Sequence, residues 1–222
     1  MNKRAFLIIG GVAAVSIISG VIVWQLLFGG GDVTQYGLGG VFLVSLLSHA
    51  TMVARDIFVP LFLALSRFYN PLILGAAAGV GGAIGDLVPY LLGLGLAETV
   101  SSGVKSKAEE TISRWINRYG LWAILLVSMT PLPDMPVIML AGTRRLPFKK
   151  LLLIEAFGKT ILYTIAAYVG GTIFDMLIGA VGGLWAQSLV IVGSIIFCIV
   201  LTWPPSRDVL FGFAEKLITT SE

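Results

Sequence analysis

Two stretches of the chain carry no charged residue at all: Ala5 to Phe28 and Met176 to Ser206. Each is longer than the roughly 20 residues that a helix needs to cross a bilayer. Of all the residues, 57% are hydrophobic and only 12% are charged, against about 25% charged in a soluble domain. A water-facing fold of this size could not hide so much apolar surface. A lipid solvent removes the difficulty, and the sequence predicts an all-α polytopic membrane protein. The net charge of +3 then reads as basic loops on the cytoplasmic side rather than as a nucleic-acid surface. Cys198, the only cysteine, rules out a disulfide framework or a thiol metal site.

The first unit, residues 1–31, is expected to be an uncleaved spanning helix over Ala5–Phe28. Lys3 and Arg4 before it resemble a signal peptide, but the apolar run is too long for one. Residues 32–175 form the central unit. Its first segment, 36–68, is apolar but contains His49, Arg55, Asp56 and Pro60. Charges at mid-membrane depth cost several kcal/mol if they face lipid, so two short helices that dip in and return suit it better than one straight span. A helix over 71–97 follows, rich in small residues that let another helix approach closely. Residues 105–119 read as an amphipathic helix at the interface, with Ile112, Trp115, Ile116 and Tyr119 on one face. Residues 120–142 are apolar again, and Pro131, Pro133 and Pro136 forbid a continuous helix; this is the second candidate re-entrant hairpin. A spanning helix is expected over 151–174. The last unit, 176–222, holds a final spanning helix near Leu184–Trp203 and a tail.

The central unit repeats itself. Tyr36-Gly37-Leu38 matches Tyr119-Gly120-Leu121, and Leu43-Val44-Ser45 matches Leu126-Val127-Ser128. Further on Pro60 pairs with Pro136, Pro71 with Pro147, Gly82 with Gly158 and Gly95 with Gly171, after an excess of residues around His49–Arg55 in the first copy. Prolines and glycines that match at fixed spacing mark the same backbone need twice. The basic loop Arg144–Lys150 belongs inside the cell by the positive-inside rule, as do Lys3 and Arg4. Threading the spans from there puts both termini in the cytoplasm. The two hairpins then enter from opposite faces. The expected fold is therefore about four spanning helices plus two oppositely oriented re-entrant hairpins in an inverted repeat. In transporters of this kind the substrate site lies near the midplane where the repeats meet.

Candidate chemistry rests on the ionisable residues inside the apolar segments: Arg55, Asp56, Asp86, Asp134, Glu155 and Lys159. They can serve as a proton relay or a polar path for a charged headgroup. They can equally be structural pairs, Arg55 with a nearby carboxylate or Lys159 with Glu155 one turn away. Glu155 and Lys159 lie early in their helix, which suggests a place near a membrane edge. Arg144 and Arg145 can bind a lipid phosphate at the cytoplasmic surface, or simply orient the chain. His49 reads as a titrating group or as a satisfied interior histidine. The glycines of 79–85 are packing residues, since no phosphate-loop signature surrounds them. No catalytic triad, metal-binding spacing or cofactor motif is present, so the chain is not expected to be an enzyme.

Three pieces of the central unit are similar to the DedA family, also described as carrying a VTT or SNARE-associated domain. They are Gly85-Asp86-Leu87-Val88-Pro89-Tyr90-Leu91-Leu92-Gly93, then Pro131-Leu132-Pro133-Asp134 with Leu140-Ala141-Gly142, and the stretch from Phe148 to Gly158. The resemblance covers about Tyr36 to Phe174. It implies two opposed re-entrant hairpins and lipid movement between leaflets: polyprenyl-phosphate or phospholipid cargo, protons as the driving ion, and the cell membrane as the location. Two departures stand out. Arginines that many members carry around the hairpin proline are replaced here by Ser128 and Asp134, with Arg144 or Arg145 as substitutes. The family's first-hairpin glutamate has Asp56 as its best match. The expected partners are membrane lipids and protons. A small-ion or small-solute transporter and a non-transporting assembly factor are the alternatives.

Overall fold

The computed structural model describes residues 3–28, 33–52, 55–98, 121–131, 134–182 and 189. Among these the chain is helical. The helices are α1 (Lys3–Phe28), α2 (Gly37–Ala50), α3 (Val59–Leu65), α4 (Pro71–Gly85), α5 (Leu87–Ala97), α6 (Leu121–Ser128), α7 (Met135–Thr143) and α8 (Phe148–Val181). Three stretches are long and apolar enough to cross a membrane: Lys3–Leu26, Pro71–Ala97 and Phe148–Ile173. The predicted amphipathic helix 105–119 and the last spanning helix Leu184–Trp203 fall outside the described residues, apart from Leu189.

Prolines mark the joints between these helices. The turn between α4 and α5 sits at Asp86. Pro89 has no N–H to offer the Gly85 carbonyl, so the ladder loses a bond there. Pro60 and Pro136 stand in the first turns of α3 and α7, and Pro71 in the first turn of α4. That is the one helical region where a missing N–H costs nothing. One boundary differs from expectation. The helix predicted to stop at Phe174, before Asp175, runs to Val181. A single aspartate does not end a helix; the stop comes at Gly182, whose φ of 84° suits a glycine just past the last turn.

The segments matched in the sequence differ in length and share close contacts. α6 ends at Ser128, while α2 runs on past Ser45, its counterpart, to Ala50. The excess in the first copy is therefore an extra length of α2, which carries His49 and leads to Arg55. The shift that relates Pro60 to Pro136 also relates Leu63 to Met139 and Ser66 to Gly142. Gly170 lies against Leu63 and Gly171 against Ser66; Gly93 lies against Met139 and Gly142 against Tyr90. α5 thus meets α7, and α8 meets the C-terminal end of α3.

The directions of the helices follow from the same contacts. Gly75 faces Thr164 and Gly79 faces Thr160, so α4 and α8 run antiparallel at backbone contact. Gly81 faces Phe42 and Leu46, and Gly85 faces Leu46 and Ala50, so α2 runs parallel to α4. The small residues of 75–85 thus have the packing role predicted for them, against two neighbours at once. Close approach of this kind is how helices associate where lipid gives no hydrophobic drive.

Two apolar clusters flank the middle. Val41, Val44, Phe58, Phe62, Leu74 and Tyr163 build one. Tyr90, Ile124, Val127, Val137, Ile138 and Leu151 build the other.

Candidate functional site

Four charged side chains from four segments meet between these clusters. Arg55 opens the short turn Arg55–Phe58 that leads into α3. Asp86 sits at the α4–α5 joint, Asp134 caps α7, and Lys159 projects from α8. Arg55 Nη2 lies 2.6 Å from Asp86 Oδ1 and 2.8 Å from Asp134 Oδ1. Lys159 Nζ lies 2.5 Å from Asp86 Oδ2 and 2.8 Å from Asp134 Oδ2. Each carboxylate spends one oxygen on each cation, and the four groups close a ring.

The local backbone makes the ring affordable. Asp134 stands at the N-cap of α7 but makes no side-chain capping bond; its carboxylate is turned to the two cations instead. Asp86 occupies the break that Pro89 enforces, so the joint leaves the carboxylate at a bend rather than against a helix wall. Both Asp86 and Lys159 are buried, with side chains 1% and 2% exposed. Burying such charges singly costs several kcal/mol each. Mutual pairing offsets that cost, and in an apolar surrounding no water competes for the partners.

Glu155 stands one turn before Lys159 and is equally buried. Lys159 turns to Asp86 and Asp134, not to Glu155 as the one-turn spacing suggested. A carboxyl oxygen of Glu155 lies within 4.8 Å of oxygens of both Asp86 and Asp134, and its Oε1 has no hydrogen-bond partner. Glu155 and Lys159, expected near a membrane edge, are both buried in the protein interior on α8. Arg55 Nη1 is likewise buried without an acceptor.

His49 is a satisfied interior histidine. Its Nδ1 lies 2.8 Å from the Ser45 carbonyl, which only accepts, so Nδ1 carries the proton. Nε2 then accepts from the Tyr163 hydroxyl at 3.1 Å. Phe58 closes edge-on against Tyr163, with ring centres 5.3 Å apart. This bond ties the extra length of α2 to α8, beside the charge ring.

Residues 57–172, just over half of the chain, match the family model of the VTT domain. The chain belongs to the VTT-domain, or DedA, family. No curated protein and no solved structure matches it. For this VTT-domain protein the match, together with the three apolar spans, makes it an integral membrane protein.

Of the residues singled out in the sequence, the VTT-domain fold brings together Arg55, Asp86, Asp134, Glu155 and Lys159. The side chain of Asp56 lies outside the described residues. Arg144 and Arg145 stand apart from the ring, just past the end of α7. Arg145 is 69% exposed, and its Nη2 lies 3.9 Å from Glu98 Oε1. The cations that face Asp134 are Arg55 and Lys159. Ser128 donates to the Ile124 carbonyl at 2.8 Å and packs against Gly158.

Proposed function

We propose that this VTT-domain protein moves lipids with an anionic phosphate headgroup between membrane leaflets, and that the charge ring is where the headgroup passes. The observation that carries the reading is the shared use of two cations by Asp86 and Asp134 at the junction of the two copies. A phosphate presents oxygens that suit a guanidinium and an ammonium as well as carboxylates do. A headgroup can therefore take the place of Asp86 and Asp134 on Arg55 and Lys159. Arg55 Nη1, buried and without an acceptor, is a donor in waiting for it.

The exchange has a direction built in. Two carboxylates displaced from their cations are left charged in an apolar interior, which is costly. They need positive charge from outside, so headgroup arrival couples to cation uptake. The antiparallel α4 and α8 and the parallel α2 and α4 support two hairpins that open to opposite faces. Each copy would then expose the ring to one leaflet. With the basic loop at Arg144–Lys150 inside, both termini are cytoplasmic and the protein sits in the cell membrane. No bond of the cargo is made or broken in this scheme, so the protein is a transporter and not an enzyme.

Reconstitution tests it. In liposomes carrying a fluorescent phospholipid or polyprenyl phosphate, leaflet accessibility should equilibrate faster with the protein than without. Asp86→Asn and Asp134→Asn should slow that movement by about tenfold or more, the effect of roughly 1.4 kcal/mol on the barrier. Ion flux without lipid movement would favour a small-solute transporter on the same scaffold. No flux of either kind would point to an assembly factor.

A further inference from the structure

Among the described residues the interior cluster does not balance. Three carboxyl groups, those of Asp86, Asp134 and Glu155, face two cations, Arg55 and Lys159. His49 adds no charge, because its two ring nitrogens are matched by one carbonyl acceptor and one hydroxyl donor. Glu155 is 1% exposed and its Oε1 has no partner. One negative charge is left over in a place where an unpaired carboxylate is strongly disfavoured.

We propose that Glu155, Asp86 and Asp134 form a binding site for one monovalent metal cation, with Na+ as the probe that tests it. Charge selects the valence. A monovalent ion brings the cluster to neutrality, while a divalent ion would overshoot and repel Arg55 and Lys159. The ligands select a hard ion, since the three groups offer only carboxyl oxygens. Each oxygen holds two acceptor positions. Those on Asp86 and Asp134 give one to the ring and keep the other.

Separation lets one ion touch all three. The three oxygens lie within 4.8 Å of one another, which brings a single bare cation between them into reach of each.

The site needs no lipid cargo and stands or falls apart from the transport reading. Full-length protein in detergent, at pH 8, is heated in NaCl or in choline chloride at equal ionic strength, with tryptophan fluorescence as the signal. Na+ should raise the midpoint by roughly 3–5 °C, in a saturable way. Glu155→Gln, which removes the excess charge, should lose the Na+ response and melt in choline where the native protein melts in Na+. Direct 22Na+ binding to the unaltered protein covers the case in which the variant fails to fold, and it should saturate. Three results would overturn the proposal: no saturable 22Na+ binding, a full Na+ response retained in Glu155→Gln, or stabilisation by lowered pH with none by Na+. The last would mean that a proton supplies the missing charge.

Discussion

Asp86 at the α4–α5 joint and Asp134 at the start of α7 come from segments far apart in the chain, yet they share the same two partners. Arg55 Nη2 reaches an Oδ1 of each at 2.6 and 2.8 Å, and Lys159 Nζ reaches an Oδ2 of each at 2.5 and 2.8 Å. A ring of this kind holds only while charges of both signs are present in equal number. Removing one cation strands a carboxylate; removing one of each sign leaves a pair.

That asymmetry predicts a specific pattern of stability. Lys159→Met should cost about 3–5 kcal/mol, the usual penalty for breaking a buried pair from one side. Asp86→Asn combined with Lys159→Met should recover at least half of the loss, because Arg55 and Asp134 remain paired at 2.8 Å. Thermal unfolding of the two single variants and the double variant in detergent gives the coupling directly. Additive losses would mean that the ring is not a unit.

How much of this was legible beforehand divides by range. Pro60, Pro71, Pro89, Pro136 and the glycines of 75–85 act through the backbone next to them, and local sequence marks such needs. The matched prolines and glycines therefore suggested two copies, and several of those residues stand at helix starts or at close helix contacts. The ring is different in kind. Arg55, Asp86, Asp134 and Lys159 were each noticeable as charges in apolar runs, but their pairing is set by tertiary packing across segments far apart in the chain. The one-turn spacing of Glu155 and Lys159 suggested the wrong partner, because a local rule was applied where a stronger long-range pairing wins. The loop arginines were equally noticeable and equally local, and nothing in their spacing could place them away from the ring.

Gly79 and Gly39 separate a packing glycine from an idle one. A Cβ on Gly79 would run into the backbone of Thr160, whereas one on Gly39 meets nothing within 4 Å. Gly79→Ala must push α4 away from α8 and should cost about 1–3 kcal/mol, as overpacking does. Gly39→Ala gains helix propensity at no steric cost and should be neutral or stabilising by up to about 1 kcal/mol. Unfolding midpoints of the two variants, measured side by side, check the contrast.

Arg145 was singled out as a phosphate ligand, but its backbone points to a different demand. It has a φ of 54°, and the Leu146 N–H reaches back to the Ala141 carbonyl at 3.0 Å. This is the left-handed residue that closes a helix end, where glycine is preferred. The ion pair with Glu98 is long and exposed, and such pairs contribute about 0–1 kcal/mol. Arg145→Gly should therefore be neutral or stabilising by about 1 kcal/mol, the left-handed penalty relieved. Unchanged lipid movement in the same variant would place headgroup recognition at the ring; a tenfold loss would return it to the loop.

Orientation yields a prediction in two independent halves. Because α4 and α8 are antiparallel at backbone contact, their first residues must lie on opposite sides of the membrane, whichever side each takes. The loop charges then decide the sign: Arg144, Arg145, Lys149 and Lys150 belong inside, which leaves Asn70 outside. Cysteines at exposed Asn70 and Lys149, in a chain with Cys198→Ser, test both halves. A membrane-impermeant maleimide should label Asn70→Cys on intact cells and Lys149→Cys only after permeabilisation. Labelling of both sites on the same side would contradict the antiparallel packing itself. The reverse pattern would keep the fold and invert the protein, which would mean that the basic loop does not set its orientation.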